Sequence, residues 1–260
     1  MAVLTFQLDY HTAWGQQVCI CGSTPELGNF NESDALVLST DGSKWFADIN
    51  ISESKEISYY YLICQGSSVV RREWGSHRKI HIVKSKKQFI IQDLWKSKPY
   101  HSYLYTSVFS DTIFRHTKNT LPPRYYTQSV LLNVICPYVN RDQVLCISGD
   151  CDELGNWNLS KAPKLTPIEN GVWQIVLNAK KLPDNANYKF VIVDKATNEA
   201  VYWEDRENRT LNSNNAHKDD TVLAEMALQF HYNNFKFKGI GTSIPVFSLR
   251  TNDSFGIGDF

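Results

Sequence analysis

The sequence predicts an all-β chain folded as two immunoglobulin-like antiparallel β-sandwiches in tandem. The first observation behind this is an internal repeat: VCICGSTPELGNFN from Val18 returns as VLCISGDCDELGNWN from Val144. The second is the strand pattern, short alternating runs rich in Val, Ile, Tyr and Phe. The third is punctuation. Asp-Gly, Asn-Gly and Pro-Asp turns recur at short intervals, and no long 3.6-residue period competes with them.

Taken in order, the elements of the two copies match. Each opens with a short apolar strand, then a Gly-containing turn, then Glu-Leu-Gly-Asn-aromatic-Asn. DGSKWFADINI from Asp41 parallels NGVWQIVLNAK from Asn170, each a turn followed by a strand opening near a tryptophan. Trp45 and Trp173 at these strand openings are expected in the core. ISYYYLICQ from Ile57 parallels ANYKFVIVD from Ala186, and REWGSHR from Arg72 parallels VYWEDRENR from Val201. Four matches in one order indicate a duplication, with modules at 1–94 and 129–228. The aromatic linker 95–128 contains SYLYTSVFSDTIF and Pro122-Pro123, too stiff for a floppy tether. The tail 229–260 has no counterpart in the repeat and reads as the start of a further domain.

Composition narrows the function. Hydrophobic residues are 42% and aromatic residues 13% of the 260, enough for real cores. Lys+Arg 27 balances Asp+Glu 27, so no long-range field draws the chain to nucleic acid or an anionic membrane. A neutral ligand or a protein partner is expected instead. MAVLTFQLDY lacks the basic and apolar regions of a signal peptide, which predicts a cytoplasmic protein. Cys19, Cys21, Cys64, Cys136, Cys146 and Cys151 then read as free thiols, and without a CxxC pair or a His cluster no metal site is expected. No cofactor is expected either.

The run ELGNWN at Glu153–Asn158, Trp173, YKF at Tyr188–Phe190 and WEDRENR at Trp203–Arg209 resembles the starch-binding domain of carbohydrate-binding module family 20. The first copy shares the framework and departs at several positions. GTSIPVFSLRTNDSFGIGDF in the tail resembles the opening of a family 77 4-α-glucanotransferase (amylomaltase, or disproportionating enzyme). The resemblance implies binding of α-1,4-glucan, as polysaccharide or maltooligosaccharide, by the front end of a glucan-transferring enzyme whose own downstream catalytic domain is its partner. Two other readings compete: a non-catalytic glycogen-sensing scaffold, and a β-sandwich protein-interaction module.

In the second copy the resemblance makes Trp157 and Trp203 a stacking platform, with Lys189 and Asn208 as hydrogen-bonding partners and Glu204 beside them. In the first copy Phe30 stands for the first tryptophan, Tyr60 for the lysine, and Trp74 for the second tryptophan. The loop GSHRK after Trp74 reads as shortened, with His77 near the Asn position. Phe30 with Trp74 could still stack on sugar, more weakly. Trp14 matches the aromatic of the family's second site, and Tyr138 is its candidate counterpart. Glycoside transfer needs two carboxylates facing each other across the sugar. No such pair is present and no catalytic residue is assigned, though Ser254 and Asp259 in the tail could line part of an active site.

Overall fold

The computed structural model describes residues 1–99, 102–106, 121–169 and 171–232. The first copy holds β1 (Ala2–Asp9), β2 (Gln16–Gly22), β3 (Leu36–Val37), β4 (Ser39–Thr40), β5 (Trp45–Ile51), β6 (Lys55–Gln65), β7 (Ser68–Arg72), β8 (Arg78–Ile82) and β9 (Gln88–Leu94). The second holds β10 (Gln128–Ile135), β11 (Gln143–Gly149), β12 (Thr166–Glu169), β13 (Val172–Asn178), β14 (Ala186–Asp194), β15 (Ala200–Trp203), β16 (Arg209–Leu211) and β17 (Thr221–Gln229). Helical structure among the described residues is limited to short 3-10 turns.

The sheets do not divide as the repeat does. β2, β3, β6, β7 and β8 form a sheet of the first copy, and β11, β14, β15 and β16 one of the second. The remaining strands form a single eight-stranded sheet in the order β12-β13-β10-β17-β9-β1-β5-β4. The join is the parallel pairing of β9 with β17, from Gln88 opposite Thr221 to Asp93 opposite Met226. Parallel pairs also flank it, β1 with β9 and β10 with β17, within otherwise antiparallel sandwiches.

Each core lies between this shared sheet and one smaller sheet. Leu4, Phe6, Phe89 and Ile91 face Val18, Ile20, Tyr59 and Ile80 in the first core. Val130, Leu132 and Val134 face Ile147, Tyr188 and Phe190 in the second. Successive residues on a strand point to opposite faces. Val222, Ala224 and Met226 of β17 join the first core, while Leu223 and Leu228 join the second. The two cores therefore sit on opposite faces of one continuous sheet. This accounts for β10, QSVLLNVI, which is buried at every position but its last: strands covered on both faces lose the polar half of the alternation.

Trp45 and Trp173 are buried as expected, and their indole N–H groups donate to the backbone oxygens of Tyr10 at 3.1 Å and Cys136 at 3.0 Å. No helix among the described residues is long and apolar enough to cross a membrane. Beyond residue 232 the tail, with Ser254 and Asp259, lies outside the described residues.

Candidate functional site

The turn that carries the first aromatic is built alike in both copies. Gly28, Asn29 and Phe30 have φ of +79°, +49° and +62°; Gly155, Asn156 and Trp157 have +79°, +50° and +60°. Three consecutive left-handed residues are costly for non-glycine side chains, although Asn tolerates the region. Local bonds hold them there. Asn29 N–H donates to Thr24 O and Asn156 N–H to Cys151 O, both at 3.0 Å. Glycine is required at the head of the run. A Cβ on Gly28 would stand 2.7 Å from Asp34 O, and one on Gly155 2.9 Å from Ala162 N. The turn projects the aromatic outward, leaving Phe30 43% and Trp157 37% exposed.

In the second copy Trp203, at the end of β15, lies beside Trp157. The ring centroids are 6.4 Å apart and the planes meet at 47°, and Trp203 is partly exposed. Lys189 alternates with buried Tyr188 and Phe190 and is half-buried on the opposite face of β14; Asn208 is exposed in the loop after Trp203. Glu204 does not belong to the surface of this site. It is 2% exposed, its carboxylate pairs with Arg209 at 2.9 Å, and it accepts the Phe190 N–H at 3.0 Å. A carboxylate so enclosed and fully paired anchors the loop and offers no oxygen to a ligand.

The same ion pair corrects the register of the first copy. Glu73 pairs with Arg78 and accepts the Tyr61 N–H at 3.0 Å, as Glu204 pairs with Arg209 and accepts Phe190 N–H. In the ladders, Arg72 stands opposite Leu62 as Trp203 stands opposite Val191. Arg72, not Trp74, is the register equivalent of Trp203. The loop after it is not shortened, since each pair spans five residues, and His77 stands where Asn208 does. Arg72 instead forms a two-pronged bridge to Glu32, Nε to Oε1 at 2.7 Å, and Tyr60 OH donates to the same Glu32 Oε1 at 3.1 Å. Burial, then Cys21 and Glu32 beside it, push Tyr60 above its ordinary pKa, while Arg72 holds Glu32 below its own.

Phe30 therefore does not pair with Trp74. It stacks on His77 at 5.1 Å, and His77 stacks on Tyr60 at 4.6 Å with planes 13° apart. Partial burial, then Lys96 and Lys79 nearby, lower the His77 pKa, so at neutral pH the ring is a neutral aromatic surface. Trp74 turns the other way and meets Tyr105 edge-on at 5.1 Å. The ungapped match of Glu73 and Arg78 to Glu204 and Arg209 was visible in the sequence; aligning on tryptophan concealed it.

Trp14 is 101% exposed on the loop between β1 and β2. Tyr138 is half-buried, packed on Tyr232 at 5.0 Å and Phe230 at 6.4 Å, and burial pushes its pKa up to about 12. No group of three His, Cys, Asp or Glu able to hold a metal is found among the described residues.

The starch binding domain family, CBM_20, matches residues 1–91 and again 127–223. A 4-alpha-glucanotransferase DPE2 of Oryza sativa subsp. japonica is 25% identical over 276 residues. The match takes in 99% of this chain, which spans only 29% of that relative's length. Among solved structures, a glycoside hydrolase family 15 glucoamylase of Hypocrea jecorina is similar at 25% identity and a TM-score of 0.34, over 37% of this chain and 17% of its own. The family 20 module of a maltotetraose-forming amylase from Pseudomonas saccharophila STB07 is similar at 19% identity and a TM-score of 0.30, over 34% of this chain and 95% of its own. With its profile matched twice across more than half of the residues, this chain belongs to the starch binding domain family CBM_20.

Proposed function

We propose that this chain binds α-1,4-glucan, chiefly through Trp157 and Trp203 of the second module, as the front end of a cytoplasmic 4-α-glucanotransferase. The observation that carries the reading is the pair of partly exposed indole rings 6.4 Å apart. A neutral glucan presents apolar C–H faces and hydroxyl edges, so it needs flat rings flanked by a few polar groups. The 47° between the rings suits successive glucoses, whose faces the α-1,4 linkage rotates relative to each other. Lys189 and Asn208 supply donors for the hydroxyl edges. Phe30, His77 and Tyr60 form a weaker aromatic surface on the first module, and Trp14 serves as an exposed accessory ring. The domain scheme is a first module at 1–94, a linker at 95–128, a second module at 129–228 and the start of a catalytic domain at 229–260.

The glucanotransferase parentage is supported by the name of the rice relative and by the tail motif. The modules would keep polymeric donor or acceptor near the active site and raise its effective concentration. Titration with β-cyclodextrin tests the platform. Trp203→Ala is expected to abolish most binding, and equal affinities of wild type and variant would refute the assignment.

A further inference from the structure

We propose a further glucan-binding place, distinct from both module sites: the cleft between the modules, which takes a short segment of the same neutral α-1,4-glucan. This rests on reading the chain as a glucan binder. The cleft encloses about 800 Å³, within the ~300–1,000 Å³ usual for small-ligand sites. It exists because the shared sheet carries the two cores on opposite faces. The face of β10, β12 and β13 turned away from the second core becomes a floor, bearing Ile135, Ile168, Val172 and Gln174. The first module forms the wall from β8 and the loop after β7, with Lys79, Trp74 and Ser76.

The chemistry of the lining suits a sugar. Trp74 and Tyr105, meeting edge-on, provide an aromatic corner. Trp74 is two positions out of platform register and so takes no part in the Phe30 stack; it is half-buried and lines the cleft. Polar groups surround it. Lys79 of the first module bridges to Glu169 of the second, and Ser76 Oγ lies 3.5 Å from Glu169 Oε2. Lys96, only 8% exposed, also lines the cleft and donates to Ser76 O. An ammonium has three donors, so that bond leaves N–H groups for ligand hydroxyls. An aromatic corner with paired charges and fixed donors suits a neutral polyol better than an anion or a purely apolar ligand.

The test removes the module sites first. In a Trp14→Ala/Phe30→Ala/Trp157→Ala/Trp203→Ala background, calorimetric titration with maltoheptaose is expected to show residual binding. Adding Trp74→Ala should weaken that binding tenfold or more. Adding Ser76→Trp, an exposed position whose new side chain fills the cleft without touching either core, should do the same. Ser76→Trp alone should leave β-cyclodextrin binding at Trp157 and Trp203 unchanged. A background variant that binds nothing, or residual binding indifferent to Ser76→Trp, overturns the cleft site while leaving the platform standing. A wild-type chain that binds neither ligand overturns the glucan reading itself.

Discussion

Glu73 and Glu204 do in both modules what neither tryptophan does. Each closes a loop onto a buried arginine and caps a backbone N–H of the central strand. In the first module the network extends further. Arg78 also faces Asp93 at 3.2 Å, and Asp93 accepts from Tyr61 OH at 2.7 Å and Tyr59 OH at 3.0 Å. Burial lifts Asp93 to about 6, opposed by the Arg78 charge and the tyrosine hydroxyls. Removing Glu73 leaves the buried Arg78 with Asp93 as its one carboxylate partner and strips the Tyr61 and Lys96 N–H groups of their acceptor, so Glu73→Ala is expected to cost about 3 kcal/mol in urea unfolding. A second test uses the corrected register. Arg72→Trp would set an indole beside Phe30, where Trp203 stands beside Trp157. In a Trp203→Ala background this variant is expected to tighten β-cyclodextrin binding roughly fivefold, about 1 kcal/mol for one aromatic contact. Sequence reasoning found Phe30, Tyr60 and His77 by position. It matched Trp74 to Trp203 in place of Arg72, because tryptophan is a conspicuous residue and a Glu-Arg pair is not, until burial makes the pair indispensable.

Among the strands, β17 carries the most structural consequence. It pairs in parallel on both sides, with β10 and with β9, and its alternate residues enter two different cores. Its one acidic residue, Glu225, sits opposite Gln92 of β9. Burial raises its pKa from the ordinary 4.5 to about 7, with the Arg209 charge pulling the other way. A carboxyl that holds its proton more tightly when folded stabilises the protein fully below pH 4.5, and that contribution disappears as pH rises towards 7. Glu225→Gln should therefore match wild type at pH 4 and exceed it at pH 8 by up to about 3 kcal/mol, read from the urea midpoint at each pH. The sequence carried a trace of this geometry. TVLAEMAL in β17 and SVLLNVI in β10 are near-continuous apolar runs, which mark strands covered on both faces rather than half-solvated sandwich strands.

The two modules share a sheet and exchange core residues across it, with Leu131 of β10 and Val222, Ala224 and Met226 of β17 packed into the first core. Splitting them would expose β9 and β17 as unpaired edges and uncover those apolar side chains. Scanning calorimetry of residues 1–232 is expected to show one cooperative unfolding transition; two well-separated transitions would mean that the modules melt independently. The repeat, the all-β character, the buried Trp45 and Trp173 and the turn that exposes Phe30 and Trp157 were all legible in the chain, because each depends on neighbours close in sequence: alternation, turn residues, a Gly-Asn-aromatic run. The joined sheet, the displacement of Trp74 into a cleft and the burial of Glu204 were not. The joined sheet depends on which strand lies beside β9, and residues more than a hundred positions apart meet there only when both cores close on one sheet; Glu204 meets a cation only five positions away, but the pair is buried only once its loop closes onto β14.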